Sequence, residues 1–339
     1  MTSEMSRRLV ACSVDFDRQG KQVGCFQVPL SSHDDAWGVM PVPIAIIANG
    51  SGPTVIVEGG NHGDEYEGPI ALGELIRDVD ASQISGRLIV IPAVNQPAVI
   101  AAQRNSPIDG LNLNRVFPGN PLGAATEQIA AFVHDVLFPL GDVFLDLHSG
   151  GSSLDIIPSA VIEPGVTPEK HEDNTRAAIA FGAPITIIID NRGDPRTATA
   201  AAARCGMTSI GTEMAGGGSV SPDALALCRR GVRNVLASVG VLKAPIIAPE
   251  QPTRLFRLTP QAHVIADDDG FLEPLHELGA TVKEGEVCAR IHFLTQPLRK
   301  PVDLFYRTTG MVYARRRPGR VRPGNCCVVV ATADEGGLA

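Results

Sequence analysis

The stretch TVIVEGGNHGDEYEG, residues 54–68, decides the fold, because an unbroken apolar run ends there in a glycine-rich loop. The run does not alternate apolar with polar residues, and continuous apolar strands are typical of parallel sheets covered by helices on both faces. Similar runs recur along the chain, at RLIVIPAV (87–94), DVFLDL (142–147), ITIIID (185–190) and MTSIGTE (207–213).

Helical segments alternate with these strands. Their predicted positions are from Asp64–Glu65 through Ile76, from Thr126 along IAAFVHDVL, from Pro168 to Phe181, and over Ala224–Val239 with Ser221 as N-cap. Strands that alternate with helices predict an α/β fold whose central sheet is mostly parallel.

The chain of 339 residues is long enough for about two domains at roughly 150 residues each. A proline-rich segment, APIIAPEQPT (244–253), is the predicted linker. We expect a catalytic α/β domain over residues 1–244, with a β-rich lead-in over 1–50, and an all-β domain over 245–339. Within this tail a weak repeat of about forty residues aligns Gly270 with Gly310, which predicts two β-halves in a small sandwich or barrel.

Composition excludes several classes of function. Lys+Arg 29 against Asp+Glu 37 gives a net charge of −8, and aromatics make up 4%, so general nucleic-acid binding is disfavoured. No apolar stretch reaches the roughly 18–20 residues of a membrane span. Seven cysteines without CxxC spacing, and an N-terminus without a sustained apolar segment, predict a cytoplasmic protein with reduced thiols. An apolar-rich chain with few charges is also compatible with a homodimer.

Three residues are candidate metal ligands. His62 and Glu65 follow the first strand, and imidazole and carboxylate groups both bind Zn²⁺. The alternative is an ordinary loop histidine near a helix-start glutamate, but the glycines at 59, 60, 63 and 68 favour a specialised loop. His148 follows another strand, and open α/β sheets place their sites at such strand ends. Two histidines and one glutamate leave a fourth zinc position open, which is the pattern of a catalytic site.

Two further carboxylates lie at strand ends. Asp146 shares a face with His148, where it either orients that imidazole or accepts hydrogen bonds from backbone N–H groups. Glu213, followed by glycines in GTEMAGGG, is the candidate general base that takes a proton from water and returns it to a leaving nitrogen. Its alternative is a surface glutamate at a strand end.

The loop QRNSPIDGLNLNRVFPG lies between the two predicted ligand segments, and Arg104 and Arg115 bracket it. A guanidinium matches a carboxylate with two parallel hydrogen bonds, and Asn114 adds an amide beside it. One arginine can hold a substrate carboxylate while the other polarises the carbonyl oxygen as charge develops. An arginine pair in a loop is otherwise a solvated surface feature.

The motifs HGDE (62–65), NLNRVFPG (112–119), DLHSGG (146–151) and GTE (211–213) together resemble the succinylglutamate desuccinylase/aspartoacylase family. The resemblance implies a zinc-carboxypeptidase-like fold with one Zn²⁺ per chain, held by His62, Glu65 and His148. It further implies Glu213 as general base and a small N-acyl amino acid as substrate. The remaining implied roles are that Asn114 and Arg115 bind the substrate carboxylate and that Arg104 polarises the acyl carbonyl.

The segments DLHSGGSSLDIIPSA (146–160) and GTEMAGGGSVSPDAL (211–225) resemble the ectoine-degradation branch, whose members deacetylate N-acetyl-L-2,4-diaminobutyrate. Asp155 is then a candidate for binding the substrate ammonium, or a surface aspartate. The alternative is a desuccinylase or a small carboxypeptidase, in which Arg192 and Arg196 would bind a second carboxylate of the substrate. A metal-free binding module is the third hypothesis, disfavoured because every metal and base position is present.

The family pattern also uses a tyrosine from the C-terminal part, and Tyr306 and Tyr313 are both candidates. The glycine and valine repeat of this tail is similar to biotinyl and lipoyl carrier folds. Those carriers present a lysine flanked by methionines, whereas Lys283 and Lys300 are isolated. We therefore interpret the tail as a structural domain that limits entry to the active site.

Overall fold

The structure is a computed structural model that describes residues 9–189 and 193–334. Its strands are β1 (Ala11–Cys12), β2 (Gly20–Leu30), β3 (Gly38–Asn49), β4 (Thr54–Gly59), β5 (Gly86–Ile91), β6 (Val143–His148), β7 (Leu154–Ile156), β8 (Ser159–Ile162), β9 (Ile185–Ile188), β10 (Thr208–Glu213), β11 (Arg254–Arg257), β12 (His263–Ile265), β13 (Gly270–Pro274), β14 (Thr281–Val282), β15 (Val287–His292), β16 (Val302–Phe305), β17 (Gly310–Arg316), β18 (Arg320–Val321) and β19 (Cys326–Ala333). Its α-helices are α1 (Glu67–Asp78), α2 (Gln96–Ala101), α3 (Ala125–Phe132), α4 (Pro168–Phe181), α5 (Ala198–Arg204) and α6 (Pro222–Ser238).

The predicted strands of the catalytic part are present as β4, β5, β6, β9 and β10. Asp190, at the end of one predicted run, lies outside the described residues. The four predicted helices are present as α1, α3, α4 and α6, and the N-cap of α6 is Ser221, whose side chain accepts from the Ala224 N–H. The short helices α2 and α5 and the strand β8 were not predicted.

The central sheet places the strand ends of interest side by side. Strands β5, β4, β6 and β10 lie next to one another and run parallel, and the antiparallel strands β1 to β3 extend the sheet beyond β5. Gly59 is level with Leu147, and Glu213 is level with His148. The loops after β4, β6 and β10 therefore leave the sheet at one edge, which is where parallel sheets bind ligands.

Helices cover both faces of this sheet, as its continuous apolar strands require. Val55 and Val57 of β4 pack on one side against a cluster that includes residues of α1, α4 and α6. Ile56 points to the opposite side, into a second cluster with residues of α3 and α5. Burial of apolar surface on both faces at ~25 cal/mol per Å² is the main stabilising contribution. The predicted α/β class is confirmed, with a large mixed sheet flanked by helices.

The C-terminal part contains a separate antiparallel sheet in the order β16-β15-β13-β18. It faces the end of the large sheet, and both contribute side chains to one apolar cluster, such as Ile291 from the small sheet and Val330 from the large one. Gly270 and Gly310, the aligned glycines of the repeat, begin β13 and β17. The two halves also pair with each other. In the first half β13 pairs with the two-residue strand β18 of the second half, and in the second half β17 pairs with the two-residue strand β14 of the first.

The division at residue 244 stays a prediction. Strands β11 and β19 come after it, yet they continue the sheet that begins in the N-terminal part: β11 pairs with β9, and β19 pairs with β11. Within the described ranges, no helix is long and apolar enough to cross a membrane. The seven cysteines all lie among the described residues, and none of them forms a disulfide.

Candidate functional site

The loop after β4 folds tightly enough to bring His62 and Glu65 together. At Gly63 an added Cβ would lie 1.9 Å from the carbonyl carbon of Ala98, so only glycine fits. Gly60 has φ of +71°, a conformation that glycine adopts without strain. His62 Nδ1 consequently lies 2.8 Å from Oε1 of Glu65, and both side chains are buried.

His148, at the end of β6, completes the cluster of candidate ligands. Its Nδ1 lies 2.8 Å from Oε2 of Glu65, so one carboxylate meets both imidazoles. One donor atom from each of the three side chains lies within 4.8 Å of the other two. The structure thus brings together the three residues that the sequence predicted as ligands.

The charges of this cluster depend on one another. Burial alone would raise the pKa of Glu65, but the nearby His62 and His148 hold it well below its usual range. Burial would likewise lower the pKa of His148, but Asp146 and Glu65 raise it well above normal. Burial lowers the pKa of His62. Since metal ligands must be deprotonated, a metal that binds here would displace a proton from His148, whose pKa is raised.

The second ring nitrogen of each imidazole also contacts a side-chain oxygen. His148 Nε2 lies 2.9 Å from Oδ2 of Asp146, the contact expected if Asp146 orients the ring. His62 Nε2 lies 3.1 Å from Oδ1 of Asn112. Below them Glu58, fully buried on β4 and level with Asp146, has a pKa raised by burial and by Asp146. Neither Asn112 nor Glu58 was singled out from the sequence, although Asn112 belongs to the NLNR motif.

Glu213 ends the neighbouring strand β10. Oε2 is buried and has no hydrogen-bond partner in the part of the chain that the structure describes. Burial, with Glu65 nearby, raises the pKa of Glu213 to about 8. A buried carboxylate with a raised pKa can hold a proton near neutral pH, as a general base must after it takes one.

The two arginines take different positions around the cluster. Arg104 reaches inward, with one guanidinium nitrogen 3.3 Å from His62 Nδ1 and 3.5 Å from Oε1 of Glu65. Arg115 lies further out, 3.6 Å from Asp194, and donates to the backbone carbonyl of Asn114. The side-chain nitrogen of Asn114 lies 3.3 Å from His148 Nε2.

A single cavity of about 440 Å³ connects these groups. It is lined by the seven residues predicted as metal ligands, general base or substrate-binding groups, namely His62, Glu65, Arg104, Asn114, Arg115, His148 and Glu213.

Tyr313 lines the cavity from β17, and its hydroxyl lies 2.8 Å from Ser159 Oγ. Tyr306 instead lies in the core between the two C-terminal sheets, 3.1 Å from His276 Nδ1. Of the two candidate tyrosines, Tyr313 is therefore the one placed at the site.

Other candidates lie outside the cavity. Asp155 forms ion pairs with Arg315 and Arg317, at 3.7 and 3.4 Å, so its charge is already compensated. Arg196 is paired with Asp194 at 2.9 Å. Arg192 lies outside the described residues.

Known proteins resemble this chain in sequence and in fold. Residues 51–239 match the succinylglutamate desuccinylase/aspartoacylase catalytic domain, which is more than half of the chain. The chain belongs to the succinylglutamate desuccinylase/aspartoacylase family. Within this family it is 38% identical, over 96% of both chains, to the N-alpha-acetyl-L-2,4-diaminobutyric acid deacetylase of Halomonas elongata.

Solved structures of the same family share the whole architecture. A succinylglutamate desuccinylase/aspartoacylase from Rhodobacter sphaeroides is 38% identical with a TM-score of 0.91, over 96% of this chain and 99% of that chain. The product-bound ectoine utilization protein EutE (DoeB) from Ruegeria pomeroyi is 37% identical with a TM-score of 0.91, over 95% of this chain and 98% of that chain.

Proposed function

We propose that this member of the family is a zinc-dependent amidohydrolase that removes the acetyl group from Nα-acetyl-L-2,4-diaminobutyrate. The products are acetate and L-2,4-diaminobutyrate, which places the enzyme in ectoine degradation. The observation that carries the proposal is the convergence of His62, Glu65 and His148 with Glu213 and Arg104 in one cavity. The relative from Halomonas elongata supports the choice of substrate.

The donor set fits one zinc ion. Two imidazole nitrogens and one carboxylate are ligands that Zn²⁺ prefers, and three protein ligands are typical of catalytic sites. The three donor atoms lie within 4.8 Å of one another, on the buried His62 and Glu65 and the partly buried His148. When bound, the ion would supply Lewis-acid polarisation and lower the pKa of water.

Each residue of the cavity then has its own role in hydrolysis. Glu213 takes a proton from the water that attacks the acyl carbon, and it returns a proton to the leaving nitrogen, so that acetate and a free amine form. Arg104, which reaches the centre of the cluster, stabilises the negative charge that develops on the carbonyl oxygen. Asn114, beside His148, and Arg115, further out, bind the substrate carboxylate.

The proposal is tested with a panel of N-acetyl, N-succinyl and peptide substrates, assayed by release of the acyl group or amino acid with and without chelator. We expect fastest release of acetate from Nα-acetyl-L-2,4-diaminobutyrate, abolished by chelation and restored by zinc. Faster turnover of succinylated or peptide substrates would instead support the desuccinylase or carboxypeptidase hypothesis. Protein that is purified without zinc and stays inactive after zinc is added would support the binding module.

The location and assembly of the protein are part of the same proposal. Seven cysteines without a disulfide support a location in the cytoplasm. A homodimer stays a prediction, which light scattering can check.

A further inference from the structure

We propose that the site also hydrolyses amides of longer, apolar acyl groups, whose chains enter an apolar compartment lined by Ile156, Val161, Ile187, Ala314 and Val329. This inference rests on the proposed deacylation, because it assigns the subsite that receives the acyl group. The chemistry is unchanged: water adds to the acyl carbon, the amide C–N bond breaks, and a longer carboxylate and a free amine form.

The apolar compartment lies inside a ring of strands. In the large sheet β10, β8, β9, β11, β19 and β17 are consecutive neighbours, and β7 pairs with β17. The Ile156 N–H of β7 donates to the carbonyl oxygen of Ala215 at 3.1 Å, and Asp155 forms a β-bridge with Gly216. Because Ala215 and Gly216 come just after β10, the ring closes. A ring of about eight strands encloses enough space for one small ligand.

Apolar side chains form the wall of the compartment. Val161 is level with Ile187 on the neighbouring strand, and Ala314 is level with both Val329 and Ile156. All five belong to one apolar cluster, in which they are buried or partly buried. An alkyl chain that enters is removed from water, which is favourable, whereas burying the carboxylate of a succinyl group against these side chains is costly. The compartment therefore suits an alkyl chain.

The compartment opens beside the proposed general base. Glu213 ends β10, and it is level with Ser159. Ser159 Oγ lies 2.8 Å from the hydroxyl of Tyr313, which also lines the cavity. His263, level with Val329, brings an imidazole to the same cavity. A scissile carbonyl placed next to Glu213 thus lies where the polar cluster meets the apolar wall.

The polarity of the two halves of the substrate decides which half enters. The amino-acid half carries a carboxylate and an ammonium, and burying either charge among apolar side chains is costly. The predicted carboxylate subsite adjoins α5, because Asn114 Oδ1 accepts from the Ala198 N–H at 2.8 Å. Three polar lining residues that hydrogen-bond to one another lie there as well, namely Glu163, Thr197 and Thr199. The acyl group is the apolar half, and the wall of β7, β17 and β19 is the surface that matches it.

The cavity has room for more than an acetyl group. Its volume of about 440 Å³ lies within the range of roughly 300–1,000 Å³ that is typical of pockets for drug-sized ligands. An acetyl group ends one methyl beyond the carbonyl carbon, so it reaches only the entrance of the compartment. Each methylene added beyond that point would be buried, which raises affinity roughly fourfold, the equivalent of ~0.8 kcal/mol.

The test measures release of acetate, butyrate and hexanoate from the corresponding Nα-acyl-L-2,4-diaminobutyrates by the zinc-loaded wild type. We expect kcat/KM for the butyryl substrate to be at least as high as for the acetyl substrate, and up to about 15-fold higher, mainly through a lower KM. Hexanoate should also inhibit acetate release at lower concentrations than butyrate does, because it buries more methylenes.

A variant that fills the compartment locates the effect. We expect Ala314→Leu to lower the ratio of butyryl to acetyl kcat/KM by at least about tenfold, because the added side chain occupies the space of the alkyl chain. Ala333→Leu is the matched control: Ala333 is exposed on β19, outside the cavity, and the variant should keep the wild-type ratio. If Ala314→Leu does not fold, the smaller Ala314→Val and the inhibition series on wild type test the same point.

The outcomes separate this inference from the proposed function. A lower kcat/KM for the butyryl than for the acetyl substrate, or equal ratios in Ala314→Leu and Ala333→Leu, would overturn the inference while the deacetylase function stands. Faster hydrolysis of Nα-acetyl-L-norleucine than of the butyryl substrate would assign the compartment to the amino-acid side chain, which overturns the inference as well. Wild type that releases no carboxylate from any of these substrates would overturn the function and the inference together.

Discussion

Each candidate ligand of the metal cluster is fixed by a second contact. His62 is held between Glu65 and Asn112, and His148 is held between Glu65 and Asp146. Such outer contacts determine which ring nitrogen faces a metal and make the ligand more basic. These contacts therefore orient the side chains for binding a metal.

A substitution at Asp146 tests directly whether these contacts orient the ligands. We expect Asp146→Asn to lower the affinity for zinc by about 10- to 100-fold, because the amide cannot supply the charge that holds His148 Nε2. Competition with a chromogenic chelator measures the affinity. Asp155→Asn, outside the cavity, is the matched control, and equal affinities in the two variants would contradict the role of Asp146.

Glu213 separates proton transfer from metal binding. We expect Glu213→Gln to retain one zinc per chain by elemental analysis while kcat falls by roughly 10²- to 10⁴-fold, since general acid–base catalysis contributes that much. His148→Ala should instead lose the zinc. A Glu213→Gln variant with wild-type turnover would show that another group moves the proton.

At the scale of elements, prediction succeeded where local signals were strong. Helix α4 runs from Pro168 to Phe181 as predicted, because Thr167 caps it, proline begins it and Gly182 ends it in the left-handed conformation. Helix α5 has only seven residues, mostly alanine, and shows no amphipathic stripe. Strand β8 has only four residues, so it gave little signal.

Helix α6 offers a test of local stability away from the chemistry. Ser221 accepts from the Ala224 N–H, and loss of such an N-cap costs about 1 kcal/mol. We expect Ser221→Ala to lower the free energy of unfolding by that amount in urea denaturation. Activity per folded molecule should be unchanged. Unaltered stability would mean that the cap contributes nothing, and reduced activity would mean that α6 influences the site.

At the scale of the whole molecule, the C-terminal part contributes to the cavity through long-range strand pairing. Strand β17 pairs with β7, with Ala314 opposite Ile156, and this register places Tyr313 at the site. The sequence offered two tyrosines and no local pattern to choose between them. The pairing of β7 with β17 joins residues that are distant in the chain, so no local sequence pattern predicts it. The ligand motifs, in contrast, come immediately after predicted strands and can be found from the sequence.

A substitution of Tyr313 measures what the C-terminal part contributes to substrate binding. Ser159, beside Glu213, orients the Tyr313 hydroxyl at the cavity wall, and we expect Tyr313→Phe to raise KM several-fold because the substrate then loses a hydrogen bond worth about 1 kcal/mol. Tyr306→Phe, in the core between the C-terminal sheets, is the matched control and should keep the wild-type KM. Equal KM values in the two variants would remove Tyr313 from the binding site.

The central claim is that the cluster of His62, Glu65 and His148 forms a zinc site that serves deacetylation. The most direct measurement is acetate release from Nα-acetyl-L-2,4-diaminobutyrate as the chelated protein is titrated with zinc. If the cluster is the catalytic zinc site, no acetate is released without zinc, and activity rises linearly with added zinc until it reaches a plateau at one zinc per chain. Release that persists in the metal-free protein, or no release at full zinc occupancy, would contradict it.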